Sequence, residues 1–449
     1  MSLNKEAQKP VIILGGGISG LSAAWYLQQA GVPFTLFEKE TEPGGVIRSE
    51  VHRGTTLDFG PNTIRDRDGN IRDMIKNLQL TDELITASHA FKTRYIVRNG
   101  KAEGISSNPL SFIKSNIISG KAKLRMLAEV FVSSGQDRDE SIGHFFERRL
   151  GKEIVDYVID PVFSGIYAGN IYELSKRTLL PKLAEYEQNK GSITWGALRS
   201  AKEKKQLKPL VLSFKEGIQQ LAYAIQHRIS EHIIHKEITS VNYMDGQFVV
   251  SSRDDSHISD QLISTIPAHQ LCGILSGFDS TLTQTLEEVD YAPVLSTQIT
   301  FNADQLQNIP EGFGFLVPRQ EQIRLLGAIW KTKIFPEQSR DGNMHFTLLT
   351  GGEHDHAVTS DPINQIEAEV IDEFSSIMNI SVSPIFTKSK LWEHAIPQFK
   401  VGYQTKKKVF SIAEEKYKGL YIGGNYNWGA SVPDCIKGAK ECSERLLLS

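Results

Sequence analysis

The chain has 449 residues, which is enough for roughly two or three domains that each bury a hydrophobic core. Its 50 Lys and Arg residues nearly balance its 53 Asp and Glu residues, so it lacks the basic excess typical of proteins that bind nucleic acid. The three cysteines form no CxxC pair, and we therefore expect neither a disulfide framework nor a bound metal. The polar start MSLNKEAQKP has no signal-peptide pattern and no stretch reaches about 18 uninterrupted apolar residues, so we predict a cytoplasmic chain without a membrane span.

A glycine-rich turn near the start carries the strongest signal. In VIILGGGISGLSAAWYL, Gly15, Gly17 and Gly20 form GxGxxG between an apolar strand and a helix, and Glu38 ends the next strand. Such glycines permit a tight turn, let the backbone approach a diphosphate, and allow close packing of helix and strand. A carboxylate at the end of the second strand can accept hydrogen bonds from a ribose. A flexible loop is the alternative interpretation of the glycines. We predict a dinucleotide site whose ligands here are Gly15, Gly16, Gly17, Ile18, Ser19, Gly20, Glu38 and Lys39.

A helical block is predicted for residues 108–203. Ser141 can cap a helix whose Ile142, Phe145, Phe146 and Leu150 form one apolar stripe, typical of a core-facing helix. The lysine-rich run at 202–208 indicates the solvated end of this block.

Strand patterns follow the helical block. Alternating apolar residues over 232–268, interrupted by the turn signal Asp245-Gly246, predict a strand meander. Further strand-like runs over 294–349 predict a second domain with a mixed sheet.

Three further segments indicate which dinucleotide binds. PGGVIRS (43–49) and DFGPNTI (58–64) follow Glu38 closely, and GLYIGGNYNWGASVPDCI (419–436) places a strand, two glycines and a helix start near the C-terminus. These segments resemble the FAD-binding fold of the amine oxidase and p-hydroxybenzoate hydroxylase superfamily. A plain strand-to-helix turn is the alternative for Gly423-Gly424. The resemblance implies one non-covalent FAD, with further ligands at Gly45, Val46, Gly60, Pro61, Asn62, Thr63, Val241, Trp392, Gly424, Ala430, Ser431 and Val432.

The whole chain also resembles the oxygen-dependent, FAD-containing protoporphyrinogen oxidase family. The resemblance lies in GGVIRSE, FGPNTIR, TRYIVRNG, SNPLSFIKSN, GKEIVDYVIDPVFSGIYAGNIYELS and SVPDCI. It implies an α/β protein with a Rossmann-like FAD domain of the p-hydroxybenzoate hydroxylase type (1–90, 213–285 and 390–449). A mixed-sheet substrate domain (286–389) and an inserted, mainly helical domain (91–212) complete the implied fold.

The resemblance implies the six-electron oxidation of protoporphyrinogen IX to protoporphyrin IX in haem biosynthesis, with FAD as hydride acceptor and molecular oxygen as oxidant. Oxidation of coproporphyrinogen III to coproporphyrin III is the nearest alternative. Another FAD enzyme, an amine oxidase or a carotenoid desaturase, is a second alternative, although residues 289–301 lack the lysine that amine oxidases generally place near the flavin. A flavin-binding protein without catalysis, such as an assembly factor for a haem pathway, is a third.

The family resemblance also implies substrate contacts. Arg94 matches a propionate-binding arginine, whose guanidinium can hold a carboxylate in bidentate fashion. Leu316, Ile329 and Leu349 match apolar residues around the macrocycle, and Leu349 stands where the plant enzyme has an aromatic ring. Read alone, Arg94 is a surface residue on an edge strand and the three apolar residues are core strand positions.

Five further positions and two surfaces complete these expectations. Gly165 and Gly169 lie where the family approaches the tetrapyrrole, with a loop that needs φ > 0 as the alternative. Asn62 lies beside the flavin and, because an amide has no useful pKa, we assign it orientation rather than proton transfer. The apolar run Leu110–Ile118 either rests on a membrane or packs inside the helical domain, and a homodimer is common in the family. His354 and His356 fit a solvated loop better than a metal site.

Overall fold

The computed structural model describes residues 9–66, 69–106, 115–135, 139–196, 199 and 210–448. The lysine-rich run at 202–208 and residues 110–114 of the run Leu110–Ile118 lie outside the described residues. The strands are β1 (Val11–Leu14), β2 (Phe34–Glu38), β3 (Ser49–His52), β4 (Thr55–Asp58), β5 (Ile64–Asp66), β6 (Leu84–Thr86), β7 (Thr93–Arg98), β8 (Lys101–Ser106), β9 (Leu210–Phe214), β10 (Ile233–His235), β11 (Ser240–Met244), β12 (Gln247–Ser251), β13 (Ser256–Ser259), β14 (Leu262–Ser264), β15 (Leu275–Ser276), β16 (Tyr291–Phe301), β17 (Gly314–Leu316), β18 (Leu325–Ile329), β19 (Met344–Gly351), β20 (Phe386–Pro397) and β21 (Leu420–Ile422).

The helices follow the same chain order. They are α1 (Ile18–Gln29), α2 (Asn70–Asn77), α3 (Gly120–Leu127), α4 (Ile142–Leu150), α5 (Lys152–Ile154), α6 (Asp160–Tyr167), α7 (Lys176–Leu179), α8 (Pro181–Lys190), α9 (Gln219–Ile229), α10 (Ala268–Ile274), α11 (Ser280–Glu287), α12 (Lys331–Ile334), α13 (Ile363–Met378), α14 (Tyr403–Lys416), α15 (Asn425–Trp428) and α16 (Val432–Leu448).

A parallel five-stranded sheet in the order β10-β2-β1-β14-β21 forms the first layer. All four residues of β1 are buried, as expected for a parallel strand that is covered on both faces. Helices α1, α9 and α16 contribute to the apolar core on one side of the sheet, and the β11–β13 meander contributes to the core on the other. The sheet therefore joins the N-terminal α/β segment to the C-terminal one, as the sequence predicts.

The meander prediction for 232–268 is correct for its centre only. Strands β11, β12 and β13 pair antiparallel, and Asp245 and Gly246 adopt φ values of 51° and 80° at the β11–β12 turn. Positive φ at both central residues is the geometry that matches the twist of a two-residue hairpin. The outer strands β10 and β14 instead pair with the parallel sheet, because each lies beside a buried strand of the first layer.

A mixed seven-stranded sheet forms the second layer in the order β20-β16-β19-β18-β17-β7-β8. Helix α13 packs against one face through Ile366, Val370 and Phe374. Strands β7 and β8 come from residues assigned by sequence to the helical domain, but β7 pairs in parallel with β17 and thereby extends this sheet. Strand β20 likewise crosses the predicted boundary at residue 390.

The helical block contains α3 to α8 among the described residues. Ser141 caps α4 by accepting a hydrogen bond from the His144 N–H, and the predicted stripe lies in or against an apolar core. A π-helical turn at Val155–Ile159 leads directly into α6, which ends at Ala168 in the left-handed conformation (φ 50°). Among the described residues, no helix is long and apolar enough to cross a membrane.

Candidate cofactor and substrate site

The predicted dinucleotide turn lies between β1 and α1. Gly15 has φ +102°, and a Cβ on Gly20 would lie 1.9 Å from the Gly15 carbonyl oxygen, so both positions require glycine. The Gly16 N–H donates to Glu38 Oε2 at 2.5 Å. In contrast, a Cβ on Gly17 would meet no atom within 4 Å. The turn is thus tightly packed on the protein side and open at Gly17.

These features fit a diphosphate at the start of α1. Helix α1 has no acidic residue in its first turn, and Gly17 provides no side-chain cap, so its N-terminal N–H groups can face an anion. Glu38 already accepts hydrogen bonds from the N–H groups of Gly16 and Glu40, at 2.5 and 2.9 Å. Each carboxylate oxygen has a second acceptor position, so Glu38 can still accept from ribose hydroxyls. Lys39 is exposed beside it.

The PGG loop packs directly against this turn. Gly17 forms a bridge with Gly44, and the Gly44 N–H donates to the Gly16 carbonyl at 2.9 Å. A Cβ on Gly60 would lie 2.0 Å from the Val46 carbonyl oxygen, so the 58–63 segment touches the same loop. The structure therefore brings together three segments that are separated in sequence.

Residues 58–63 form a loop that is held against the seven-stranded sheet. Because the family resemblance predicts flavin contacts for this segment, we call it the flavin loop. The Trp392 indole N–H donates to the Phe59 carbonyl at 2.8 Å. Asn62 is buried, donates to the Gly60 carbonyl at 3.0 Å, and accepts from the Thr347 hydroxyl at 3.2 Å. Pro61 and Thr63 are half-buried. Asn62 is thus held in one orientation, while its role in orienting the reactants stays a prediction.

The C-terminal motif lies at the end of β21. Gly424 has φ +90° and starts the turn into α15, and α16 begins at Val432, where the sequence predicts a helix start. The Asp434 N–H donates to Ser431 Oγ at 3.2 Å, and Pro433 has no N–H. Of the first three residues of α16, Val432 to Asp434, Val432 is therefore the one whose N–H group can donate to a ligand. Ala430 is half-buried and Ser431 is exposed.

Val241 packs in a different part of the protein from these loops. Its side chain is completely buried in the core that contains Phe248, and its backbone pairs with Val250 and Leu275. Any contact with a cofactor would come from its main chain.

The predicted substrate residues share one face of the seven-stranded sheet. Phe315, Ala328 and Leu348 face the core against α13, and side chains alternate along a strand. The other face therefore carries Leu316, Ile329 and Leu349, together with Gln298 and Thr347, and it is the face that contacts the flavin loop. The side chains of Leu316, Ile329 and Leu349 are half-buried.

Helix α6 covers the far end of this face. A Cβ on Gly165 would lie 2.5 Å from Leu316 Cδ2, and a Cβ on Gly169 would lie 2.5 Å from Gln398 Oε1. Neither glycine has positive φ; the left-handed residue of the segment is Ala168. A side chain at either position would therefore meet the ends of the Leu316 or Gln398 side chains, and the loop conformation considered as the alternative does not apply.

Arg94 lies on β7, the strand next to the edge strand β8 of the same sheet. Its guanidinium carbon lies 4.6 Å from the Phe91 ring centroid and 5.4 Å from that of Phe313, an arrangement that favours a cation–π interaction. Burial lowers the Arg94 pKa, and the nearby charge of Arg65 lowers it further. Arg94 forms no ion pair with a carboxylate among the described residues. A half-buried cation in this setting is suited to an external anion.

The two histidines considered for metal binding differ in their surroundings. No group of three or more His, Cys, Asp or Glu side chains suited to a metal occurs within the described residues. His354 is half-buried rather than fully solvated, and burial together with Arg319 lowers its pKa to about 4, so it is neutral at pH 7. His356 is exposed.

Comparisons with known proteins identify the family. Residues 18–447 match the family described as flavin containing amine oxidoreductase. The chain belongs to this family. It is accordingly an FAD-dependent oxidoreductase, and the three glycine-rich segments described above are the part of the chain that fits the cofactor.

Two curated relatives and one solved structure show how far the similarity extends. The mitochondrial protoporphyrinogen oxidase of Nicotiana tabacum is 30% identical, covering 95% of this chain and 92% of the relative. The coproporphyrinogen III oxidase of Bacillus subtilis is 26% identical, covering 97% of each chain. A crystal structure from Exiguobacterium sp. 255-15, provisionally named protoporphyrinogen oxidase, has a TM-score of 0.85 at 22% identity and covers 98% of this chain and 99% of its own. This last similarity establishes the shared fold.

Sequence reasoning missed several polar residues at the site. Asp58, Gln298, Lys331 and Thr347 link the flavin loop to the seven-stranded sheet. Each is buried although polar. Polar residues within a predicted strand are a signal that could have been noticed, because such groups require partners when they are buried.

Proposed function

We propose that the chain oxidises protoporphyrinogen IX to protoporphyrin IX with FAD and molecular oxygen, as a step of haem biosynthesis. The observation that carries this proposal is the placement of Arg94 on the same sheet as an apolar face that the flavin loop contacts. A porphyrinogen is a broad apolar macrocycle with carboxylate arms, so it needs an apolar wall and a cation at one end. The names of the curated relatives support the same substrate class.

Each part of the site then has a physical role. Bound FAD supplies the hydride acceptor and passes electrons to oxygen. Gly17 and the start of α1 hold its diphosphate, Glu38 its ribose, and the Val432 N–H its pyrimidine edge. Leu316, Ile329 and Leu349 exclude water from the macrocycle, while Asn62 fixes orientation near the reacting methylene. These residues position the reactants, and orientation is the main requirement of hydride transfer.

Arg94 anchors a propionate in this proposal. Its charge is desolvated by the rings of Phe91 and Phe313, and a carboxylate would restore the hydrogen bonds that burial removes. Gly165 and Gly169 allow α6 to approach the macrocycle at its far side.

Coproporphyrinogen III is the second candidate substrate. It carries four carboxylates where protoporphyrinogen IX carries two, and Arg65 lies close enough to Arg94 to lower its pKa. Two neighbouring guanidinium groups favour a substrate with more carboxylates. The Bacillus subtilis relative that is named for this substrate supports the same alternative.

Anaerobic flavin bleaching tests both candidates. The purified yellow protein is mixed with each porphyrinogen in turn, and the flavin absorbance is followed by stopped flow. We expect bleaching by protoporphyrinogen IX with the higher kcat/KM. A higher value for coproporphyrinogen III selects the second candidate, and no bleaching by either porphyrinogen rejects the proposed function.

We also propose that the helical domain contacts a membrane surface on the cytoplasmic side. The predicted run Leu110–Ile118 does not carry this proposal, because Ile117 and Ile118 are buried. Instead, Leu124, Leu127 and Phe131 are 70%, 59% and 88% exposed, at helical spacing along α3 and the turn that follows it.

Further residues extend this exposed apolar surface. Glu129 accepts hydrogen bonds from Ser192 and from the Ile193 N–H, which places the 59% exposed Trp195 beside the turn after α3. Lys121 and Lys123 on α3 supply positive charge that complements an anionic lipid surface. A poorly soluble tetrapyrrole would be received from lipid at such a surface. A homodimer, common in the resembled family, is a further expectation.

A further inference from the structure

A buried ion pair connects the flavin loop to the segment after Ile329. Together with Leu316 and Leu349, Ile329 forms what we call the apolar wall. Lys331 Nζ donates to Asp58 Oδ2 at 2.8 Å, and the side chains are 3% and 1% exposed. Asp58 is the first residue of the flavin loop, and Lys331 follows Ile329 of the wall by two residues. The two residues lie 273 positions apart in sequence, so this contact joins two separate segments of the chain.

The carboxylate of Asp58 is fully bonded on its other side. Its Oδ1 atom accepts from Ser49 Oγ at 2.5 Å and from the Ile218 N–H at 3.1 Å. The Asp58 carbonyl accepts from Gln298 Nε2 at 2.8 Å. Lys331 Nζ also lies 5.4 Å from the Phe335 ring centroid. Both charges are therefore held in one arrangement.

The neighbouring contacts of the flavin loop are neutral hydrogen bonds. They join the Phe59 carbonyl to Trp392 and the Asn62 side chain to Thr347. Charged hydrogen bonds are roughly twice as strong as neutral ones, and in a buried setting they are also the most sensitive to a missing partner. The ion pair is accordingly the charged contact among these restraints, and it ties the loop to the segment that follows β18.

We propose that Asp58 and Lys331 are positioning residues that set the distance between the flavin loop and the apolar wall, and thereby the distance between flavin and substrate. This inference rests on the proposed function, because it assigns the flavin to the loop and the macrocycle to the wall. Neither residue needs to contact a reactant. Their effect is on the geometry of hydride transfer, where a displacement of about 1 Å can reduce the rate by about 100-fold.

The test uses a double variant because single variants leave an unpaired buried charge. Such a charge strongly destabilises a fold, and a loss of activity would then be uninformative. Asp58→Asn with Lys331→Met removes both charges while an amide oxygen still accepts from Ser49 and Ile218. The matched control is Glu129→Gln with Arg149→Met in the helical domain, which removes the buried Arg149–Glu129 pair, 3.0 Å between Nη1 and Oε1. It also removes the Arg149–Glu187 contact at 2.9 Å, after which Glu187 keeps its contacts with Arg148 and Lys176.

The measurements are FAD content, melting temperature, the visible flavin spectrum and anaerobic flavin reduction by porphyrinogen. For the Asp58/Lys331 double variant we expect retained FAD, a flavin band that loses its vibrational shoulder, and a saturating reduction rate lowered about 10- to 100-fold. The substrate Kd should change by less than about threefold. The control should lose similar thermal stability but keep the spectrum and the saturating rate.

Each outcome bears on one proposal. An FAD-loaded double variant with the parental spectrum and parental saturating rate overturns the positioning role. Equal rate losses in the double variant and the control assign the effect to general destabilisation and also overturn it. If the parent enzyme is not reduced by any porphyrinogen, the proposed function fails, whereas the flavin spectra of the two double variants still decide whether the ion pair positions the loop.

Discussion

Gly17 and Gly45 face each other across the dinucleotide turn, with the Cβ position of Gly45 only 3.4 Å from the Gly17 Cα. The Cβ direction of Gly17 itself meets no protein atom within 4 Å. The protein therefore approaches Gly17 from one side and leaves the other side for the diphosphate.

This geometry predicts that Gly17→Val abolishes FAD binding without unfolding the chain. Gly17 has φ −68° and ψ 171°, which a valine adopts without strain, so the added methyl groups occupy only the diphosphate position. The measurement is the ratio of flavin to protein absorbance together with far-UV circular dichroism. Gly273→Val in α10 is the matched control, because its Cβ also meets no atom within 4 Å. A yellow Gly17→Val protein would show that the diphosphate binds elsewhere.

A second prediction is that FAD is not covalently attached. Cys435 and Cys442 in α16 are buried, and burial raises the pKa of each thiol to about 12. Because the thiolate is the nucleophile, these cysteines are unreactive at pH 7. Denaturation with guanidinium followed by filtration should release the full flavin absorbance into the filtrate. Flavin that stays with the precipitated chain would contradict this expectation.

The membrane surface gives a third prediction. Phe131→Glu combined with Trp195→Glu places two charges on the exposed apolar surface, so co-flotation with anionic vesicles at low salt should fall several-fold. Ile412→Glu in α14 is the control, since Ile412 is 60% exposed but lies on another helix. Equal flotation of the parent and both variants, or no flotation of the parent, would remove lipid contact from the proposal.

A fourth prediction concerns acid stability of the helical domain. Although burial raises the pKa of Glu187, hydrogen bonds from Arg148 and the Gly135 N–H outweigh it, and the pKa falls from 4.5 to about 2. A carboxyl group whose pKa is lower in the folded state than in the unfolded state stabilises the fold at pH values above its unfolded-state pKa. This stabilisation is lost as the pH falls through the folded-state pKa. The difference in melting temperature between the parent and Glu187→Gln should be constant from pH 7 to about 5 and shrink between pH 4.5 and 2. A difference that does not change with pH would contradict this assignment.

The sequence predicted the parts of the site that depend on local geometry. A tight turn at Gly15, a close helix approach at Gly20 and a cap at Ser141 each involve a few adjacent residues, and their residue preferences are strong. The family resemblance added Arg94 and the apolar residues Leu316, Ile329 and Leu349, which lie on one sheet that the flavin loop contacts. Their role in substrate binding stays a prediction.

The missed features depend on contacts between distant segments. Residues 93–106 read as part of a helical domain because nothing in their own sequence specifies pairing with β17, more than 200 residues later. Asp58 and Lys331 gave no signal for the same reason: a single acidic and a single basic residue are usually solvated, and only the fold buries them together.

The last prediction separates binding from chemistry at Arg94. If its guanidinium anchors a propionate, Arg94→Ala removes a charge-assisted, desolvated contact of about 1.5 to 3 kcal/mol. That loss corresponds to roughly 10- to 150-fold in kcat/KM. Arg94→Lys should recover only part of it, because an ammonium keeps the charge but lacks the planar fork.

FAD content should stay unchanged in both Arg94 variants, because Arg94 stacks on Phe91 and Phe313, which lie outside the glycine-rich segments. The saturating rate of flavin reduction should fall less than kcat/KM, since the anchor acts mainly on capture. Stopped-flow bleaching over a range of porphyrinogen concentrations gives both quantities. A parallel fall in both would mean that the anchor also aligns the methylene with the flavin, and an unchanged kcat/KM in Arg94→Ala would remove Arg94 from the substrate site.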